Sequence, residues 1–182
     1  MARQDAFSLF DTAIGVCAIA WTDRGVSAVQ LPEGDAQATR SRLVARRPGA
    51  VEAAPPPPVA QAIAQIQDLM AGRRVDLGGI ALDMAGVPDF HKAVYAVALS
   101  IPPGRTLTYG DIARRLGDPE AARAVGQALG RNPFPIIVPC HRVLAANGRP
   151  GGFSAHGGRS TKLRMLAIEG FMGNEPTLFD PR

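Results

Sequence analysis

Hydrophobic positions in the first half of the chain fall into short extended runs and one helical stripe. Ile14 to Trp21 and Val26 to Leu31 are apolar runs on either side of Thr22-Asp23-Arg24-Gly25, and the pair predicts a β-hairpin. A helix is expected from Ala36 to Arg47, then a loop ending in Pro55-Pro56-Pro57-Pro58. Beyond the prolines, Val59, Ile63, Ile66 and Met70 recur at helical spacing, with Gly72 as the stop. Ile80 to Met84 predicts a further strand before the break at Gly86-Val87-Pro88. Residues 1–87 therefore read as a small α/β domain, and nothing in this half looks chemical.

The second half changes period. A helix is expected from Asp89 to Ser100, burying Phe90, Val94 and Val97 and stopped by Pro102-Pro103-Gly104; His91 near its start reads as a surface residue. Thr108-Tyr109-Gly110-Asp111 has capping-box character, because the threonine hydroxyl can accept from the amide three residues on and the aspartate can reciprocate. Helix Tyr109–Leu116 follows and ends at Gly117. Asp118-Pro119 supplies an N-cap and a first-turn proline for a second helix running to about Leu129. Two short helices joined at a glycine-containing turn predict a helix-turn-helix. The outer face of the second helix is small, with Ala121, Ala122, Ala124 and Gly126, and carries one long cation, Arg123. Readers of the major groove need long polar side chains, so this face suits close approach to a narrow groove with little sequence readout. The expected division is an α/β domain at 1–87, a mainly helical domain at 88–170 and a tail at 171–182.

Composition narrows the partners. At 182 residues the chain suits one domain or two small ones. No apolar run approaches the ~20 residues of a membrane span and no signal peptide is visible, so a soluble, cytoplasmic protein is expected. Cys17 and Cys140 are the only cysteines and form no Cys-x-x-Cys pair, which argues against a disulfide scaffold or a zinc site. Charge is uneven: residues 1–90 carry a net −2, residues 91–170 a net +7 and residues 171–182 a net −1. A basic half points to a polyanion, nucleic acid first among them, against the alternative of a solvated arginine face.

The chemistry concentrates in Pro139-Cys140-His141-Arg142. A thiol beside an imidazole and a fixed cation can be a nucleophile whose thiolate fraction is raised by its neighbours, or a small buried hydrophobe. Turn formers flank it, from Asn132 to Pro135 before and from Asn147 to Ser154 after, and read as an exposed loop holding an apolar segment. Cys17, in a strand pattern, reads as core.

Ile137-Val138-Pro139-Cys140-His141-Arg142-Val143 resembles the active-site motif of the O6-alkylguanine-DNA alkyltransferases, the methylated-DNA–protein-cysteine methyltransferases. The likeness runs from Phe90 to Gly170, with the first half matching in outline only. The resemblance implies a ribonuclease-H-like first domain, a helix-turn-helix in the second, and single-turnover transfer of an alkyl group from O6-alkylguanine in double-stranded DNA to Cys140. It implies a monomer that needs no cofactor and no metal. Glu169 would orient His141, which acts on Cys140 through a bound water; adjacency along an extended segment would keep His141 from touching the thiol. Asn132 would brace the approach to the Cys loop, and Arg142 would anchor it. Arg123 would fill the stack vacated by the extruded nucleotide, and Tyr109, otherwise a half-buried core aromatic, would assist its rotation. The carbonyls of Cys140 and Val143 would accept from the guanine amine, and the Ser154 amide would meet oxygen-6. Phe153 departs from a tyrosine found in many members and keeps only the packing role. The stretch Ala155 to Gly158 is slightly longer than in some relatives and alters the pocket rim. Two other classes share part of this pattern: a Cys-His hydrolase, which would leave the basic half unexplained, and a non-catalytic lesion-binding protein, against which Cys140 itself speaks.

Overall fold

The computed structural model describes residues 5–171 and Gly173; all but Phe171 and Gly173 of the expected tail lies outside them. Three antiparallel strands, β1 (Ala6–Thr12), β2 (Gly15–Thr22) and β3 (Gly25–Gln30), form a meander, and the short β4 (Val51–Glu52) adds in parallel to β1, giving the order β3-β2-β1-β4. The hairpin is the one the apolar runs predict. Strand β1 is not predicted by alternation, because both its faces are covered: Phe7 packs with Leu43 on one side and Phe10 enters the main core on the other. Helix α1 (Ala36–Arg46) starts at Asp35, whose side chain accepts from the Ala38 amide, and buries Thr39 and Leu43. Helix α2 (Pro57–Met70) begins inside the proline run, where missing N–H groups cost no helical hydrogen bond.

The strand expected at Ile80 to Met84 does not form. Only Leu82 bridges Val26, and Asp83 turns instead to accept from the Thr22 hydroxyl at 2.7 Å and from Arg24. The backbone pairing stops at that one bridge, with the Val26 amide donating to the Ala81 carbonyl at 2.9 Å and the Asp83 amide to the Val26 carbonyl at 2.7 Å.

Helix α3 (Asp89–Leu99) buries Val94, Tyr95 and Ala98, while Phe90 is 39% exposed and Val97 half-buried, so the inward stripe lies one position further round than expected. The Tyr95 hydroxyl donates to the Ala128 carbonyl at 2.9 Å. Short β5 (Leu107–Thr108) leads into α4 (Tyr109–Arg115), whose N-terminus carries the full capping box between Thr108 and Asp111. A 3-10 turn at Pro119–Ala121, capped by Asp118, precedes α5 (Ala122–Gly130). Another 3-10 turn holds Cys140–Arg142, then β6 (Val143–Leu144) pairs in parallel with β5, and α6 (Arg159–Ile168) closes the described chain.

One buried cluster runs through both halves, from Phe10 and Ile19 to Val125 and Met165. The free edge of β3 receives the loop before Cys140 directly: the Val29 amide donates to the Pro133 carbonyl at 2.8 Å. The first half thus supports the segment that carries the thiol.

Candidate functional site

Cys140 sits at the end of a tightly held loop. Asn132 fixes its entry, Nδ2 donating to the Val138 carbonyl at 2.9 Å while Oδ1 accepts from the Phe134 amide at 2.8 Å. Between these anchors Ile136 is buried with φ 74°, a left-handed conformation that a β-branched residue rarely adopts. Strain of about 1–3 kcal/mol is held there by the surrounding bonds. Leaving the loop, β6 ties to β5, so the thiol's loop and the start of α4 share one backbone register.

His141 does not lie on an extended segment, as the sequence suggests, but in the 3-10 turn with Cys140. Its ring is fully buried, and Nε2 lies 2.8 Å from Glu169 Oε1. Glu169 also accepts from Arg142 Nε at 2.9 Å and Nη2 at 2.8 Å, and Arg142 Nη1 donates to the Ile101 carbonyl at 2.5 Å. Despite its burial, hydrogen bonds from His141 and Arg142 and the Arg142 charge bring the Glu169 pKa down to about 2. An ionised carboxylate only accepts, so Nε2 of His141 carries the proton and Nδ1 is the basic atom. Burial lowers the His141 pKa, against the pull of Glu169, and keeps the imidazole neutral. Nδ1 is buried and makes no hydrogen bond among the described residues. The pair is therefore arranged to take a proton at Nδ1 while Glu169 and Arg142 hold the ring.

The His141 ring is not among the groups that act on the resting thiol. Burial raises the Cys140 pKa, while a hydrogen bond from Asn132, the charge of Lys162 and the amides of Cys140 and His141 pull it the other way. Lys162 is the residue that sequence reading missed. It stands on α6 in line with Met165 and Leu166, the inward stripe, so its Nζ is driven into the core, donates to the Val143 carbonyl at 2.6 Å and lies 5.9 Å from the rings of both Tyr109 and Phe153. Its spacing with those core residues was the available signal.

A cleft of about 360 Å³ opens beside the thiol, lined among others by Cys140, Asn132, Phe153, Ser154 and Ala155. Tyr109 is half-buried, and its ring rests on Gly126, where an added Cβ would lie 3.8 Å away; Gly126 therefore packs under the tyrosine and is not part of the outer face. Gly151 comes so close to the Tyr109 hydroxyl that an added Cβ would sit at 2.8 Å. Val143 offers its carbonyl to Lys162, which leaves one lone pair for another donor. Arg123 is exposed on α5, with Ala121, Ala122 and Ala124 half-buried around it; none of these four lines the cleft. Among the described residues no three His, Cys, Asp or Glu side chains group as metal ligands, and no helix is long and apolar enough to cross a membrane.

Comparison with known proteins agrees on one family. Residues 89–171 match the family model described as 6-O-methylguanine DNA methyltransferase, DNA binding domain. A methylated-DNA–protein-cysteine methyltransferase of Methanothermobacter thermautotrophicus is 35% identical over 152 residues, 84% of this chain and 78% of that one. One from Mycobacterium leprae is 44% identical over 110 residues, 60% of this chain and 64% of that one, slightly less than two thirds of its length. Among solved structures, Mycobacterium tuberculosis OGT in complex with DNA superposes with a TM-score of 0.74 at 33% identity, covering 91% of this chain and 93% of that one. The O6-methylguanine-DNA methyltransferase of Pyrococcus kodakaraensis gives 0.70 at 27% identity, over 92% and 99% of the two chains. Both carry an α/β fold with a small sheet part and a helical part, as here. By this identity and coverage the chain belongs to the methylated-DNA–protein-cysteine methyltransferase family.

Proposed function

We propose that this protein repairs DNA directly, moving the alkyl group of O6-alkylguanine in duplex DNA onto Sγ of Cys140. The observation that carries the reading is the thiol at a cleft wall, backed by a neutral, buried His141 whose Nε2 is committed to Glu169. The thiol proton leaves through water to Nδ1 of His141. Sulfur attacks the alkyl carbon, the S–C bond forms, and the C–O6 bond breaks with its electron pair going to guanine. The Tyr109 hydroxyl and the Ser154 amide stabilise the departing base at its edge. Asn132 and Lys162 hold the loop and favour the thiolate. The product thioether has no activated carbonyl for water to attack, so each molecule acts once, and the step uses no cofactor.

The target oxygen is stacked in a duplex and the thiol is in a cleft, so the nucleotide is extruded, at a cost of a few kcal/mol. Arg123, long, exposed and surrounded by small residues, fills the gap. Helices α4 and α5, joined through Gly117 at φ 82°, are the helix-turn-helix that delivers it. The order β3-β2-β1-β4 with only β4 parallel supports a ribonuclease-H-like first domain over 1–87, followed by the alkyltransferase domain over 88–170. The net positive charge of residues 91–170 suits a DNA-associated protein of the cytoplasm. Intact-mass measurement after incubation with methylated duplex tests the reading: one methyl group per chain, mapped to Cys140, is expected, and an unmodified Cys140 or continued turnover overturns it.

A further inference from the structure

The cleft beside Cys140 has a second wall, built by the first half of the chain, that the proposed chemistry leaves unused. Four arginines stand on α1 and its C-cap. Arg40 pairs with Glu52, and Arg47 approaches Asp5 at 3.8 Å and donates to the Ser27 carbonyl; neither lines the cleft. Arg42 and Arg46, one helical turn apart, both line it. Arg42 is exposed and has no hydrogen-bond or ion-pair partner among the described residues. Arg46 Nη1 donates to Gln30 Oε1 at 2.9 Å and reaches the Val29 carbonyl at 3.4 Å, which fixes the guanidinium without neutralising it. Burial, and then the charges of Arg47 and Arg42, press its pKa down, and Glu33 opposes them.

Across the cleft, Arg131 follows α5, exposed and with its side chain unpartnered among the described residues. Three cations and one carboxylate, Glu33, thus line one opening. Like charges one turn apart destabilise a helix unless an anion lies between or beside them. A guanidinium fork matches the oxygens of a phosphodiester, and a nucleotide whose base enters the cleft brings its flanking phosphates to the mouth.

We propose that Arg42 and Arg46, facing Arg131, form a phosphodiester-binding wall by which the first half of the chain grips the strand whose base reaches Cys140. This rests on the proposed reading of the cleft as the place where base meets thiol. The occupant is the DNA backbone beside the extruded nucleotide, not a free anion.

The test is binding of the full chain to methylated duplex over a range of salt. Each phosphate contact adds about 0.9 to the steepness of log K against log salt. Arg42→Ala is expected to remove about 0.9, and Arg42→Ala with Arg131→Ala about twice that. Arg40→Ala removes the same charge from the same helix but not from the cleft, and should leave the slope as it is. Methyl transfer from duplex should fall more in Arg42→Ala than transfer from free O6-methylguanine, and Arg42→Lys should restore part of the loss. Equal slope losses in Arg40→Ala and Arg42→Ala would reduce the effect to net charge and overturn the wall, as would an unchanged slope in Arg42→Ala. Competition by inorganic phosphate at millimolar level, removing the difference between wild type and Arg42→Ala, would also overturn it in favour of a free-anion site. A wild-type chain that binds duplex with the expected slopes but transfers no methyl group would instead defeat the proposed activity and leave the wall standing.

Discussion

Cys17 and Cys140 are the same side chain in two regions of one protein, and what surrounds each decides what it can do. Cys17 stands mid-strand in β2, fully buried between sheet and core. Burial pushes its thiol up to about 12, and only Thr12, 3.7 Å away, pulls the other way. Cys140 is also raised by burial, but it faces a cleft, and it has an amide side chain, a buried ammonium and two backbone amides to receive the charge that ionisation would create. Burial raises both thiols, so what separates them is whether the thiolate, once formed, has donors and room for an electrophile.

The sharpest way to break the comparison is to exchange the thiols' oxygen analogues. Cys140→Ser is expected to abolish methyl transfer while retaining duplex binding, because a hydroxyl is hardly ionised near neutral pH. Cys17→Ser should still take one methyl group per chain and lose about 1–3 kcal/mol of stability, since a hydroxyl is desolvated in an apolar core. Transfer surviving in the first, or lost in a folded Cys17→Ser, measured by intact mass, would dissolve the distinction.

Glu169→Gln comes next in size. It replaces one of the two carboxylate oxygens shared by His141 and Arg142 with an amide donor and leaves Arg142 buried without its counter-charge, so transfer should slow by about 10²-fold or more and stability should drop by about 3–5 kcal/mol. pH reads the same residue. A Glu169 carboxyl held near 2 when folded contributes stability that is present above its unfolded pKa and is lost as pH falls from about 4.5 towards 2. His141, depressed in the folded state, acts in the same direction, beginning below about 6.5. Wild-type unfolding free energy should therefore decline on acidification in two stages, and Glu169→Gln should lack the lower one.

Arg123→Ala tests whether extrusion and chemistry are separable. Transfer from duplex is expected to slow several-fold more than transfer from free O6-methylguanine, because only the duplex has a stack to fill. Equal slowing would put Arg123 in the thiol site. The smallest effect is expected from Lys162→Met, which keeps the stem and removes the charge. The reaction's pH profile should shift upward as the thiol loses a stabilising cation, with the maximal rate little changed. An unshifted profile would confine Lys162 to its bond with Val143.

The hairpin, α1, α2 and the α4 capping box were legible because each depends on neighbours in the chain: a turn tetrapeptide, an apolar period, a cap three residues away. The Pro-Cys-His-Arg run and its likeness to a family likewise marked Cys140, His141 and Glu169 as candidates. Strand β1 was invisible, since covering both faces erases the period by which strands are read. The strand expected at Ile80 to Met84 shrank to one bridge between Leu82 and Val26, with the Asp83 side chain held by Thr22 and Arg24, which no window of sequence contains. Tertiary structure alone drove Lys162 into the core against the Val143 carbonyl, added Arg142 to the His141–Glu169 pair, and brought Arg42 and Arg46 of the first half to the cleft of the second. Local order is fixed by forces that act over one or two turns, whereas burial, field and hydrogen-bond partners depend on which distant segments fold against one another.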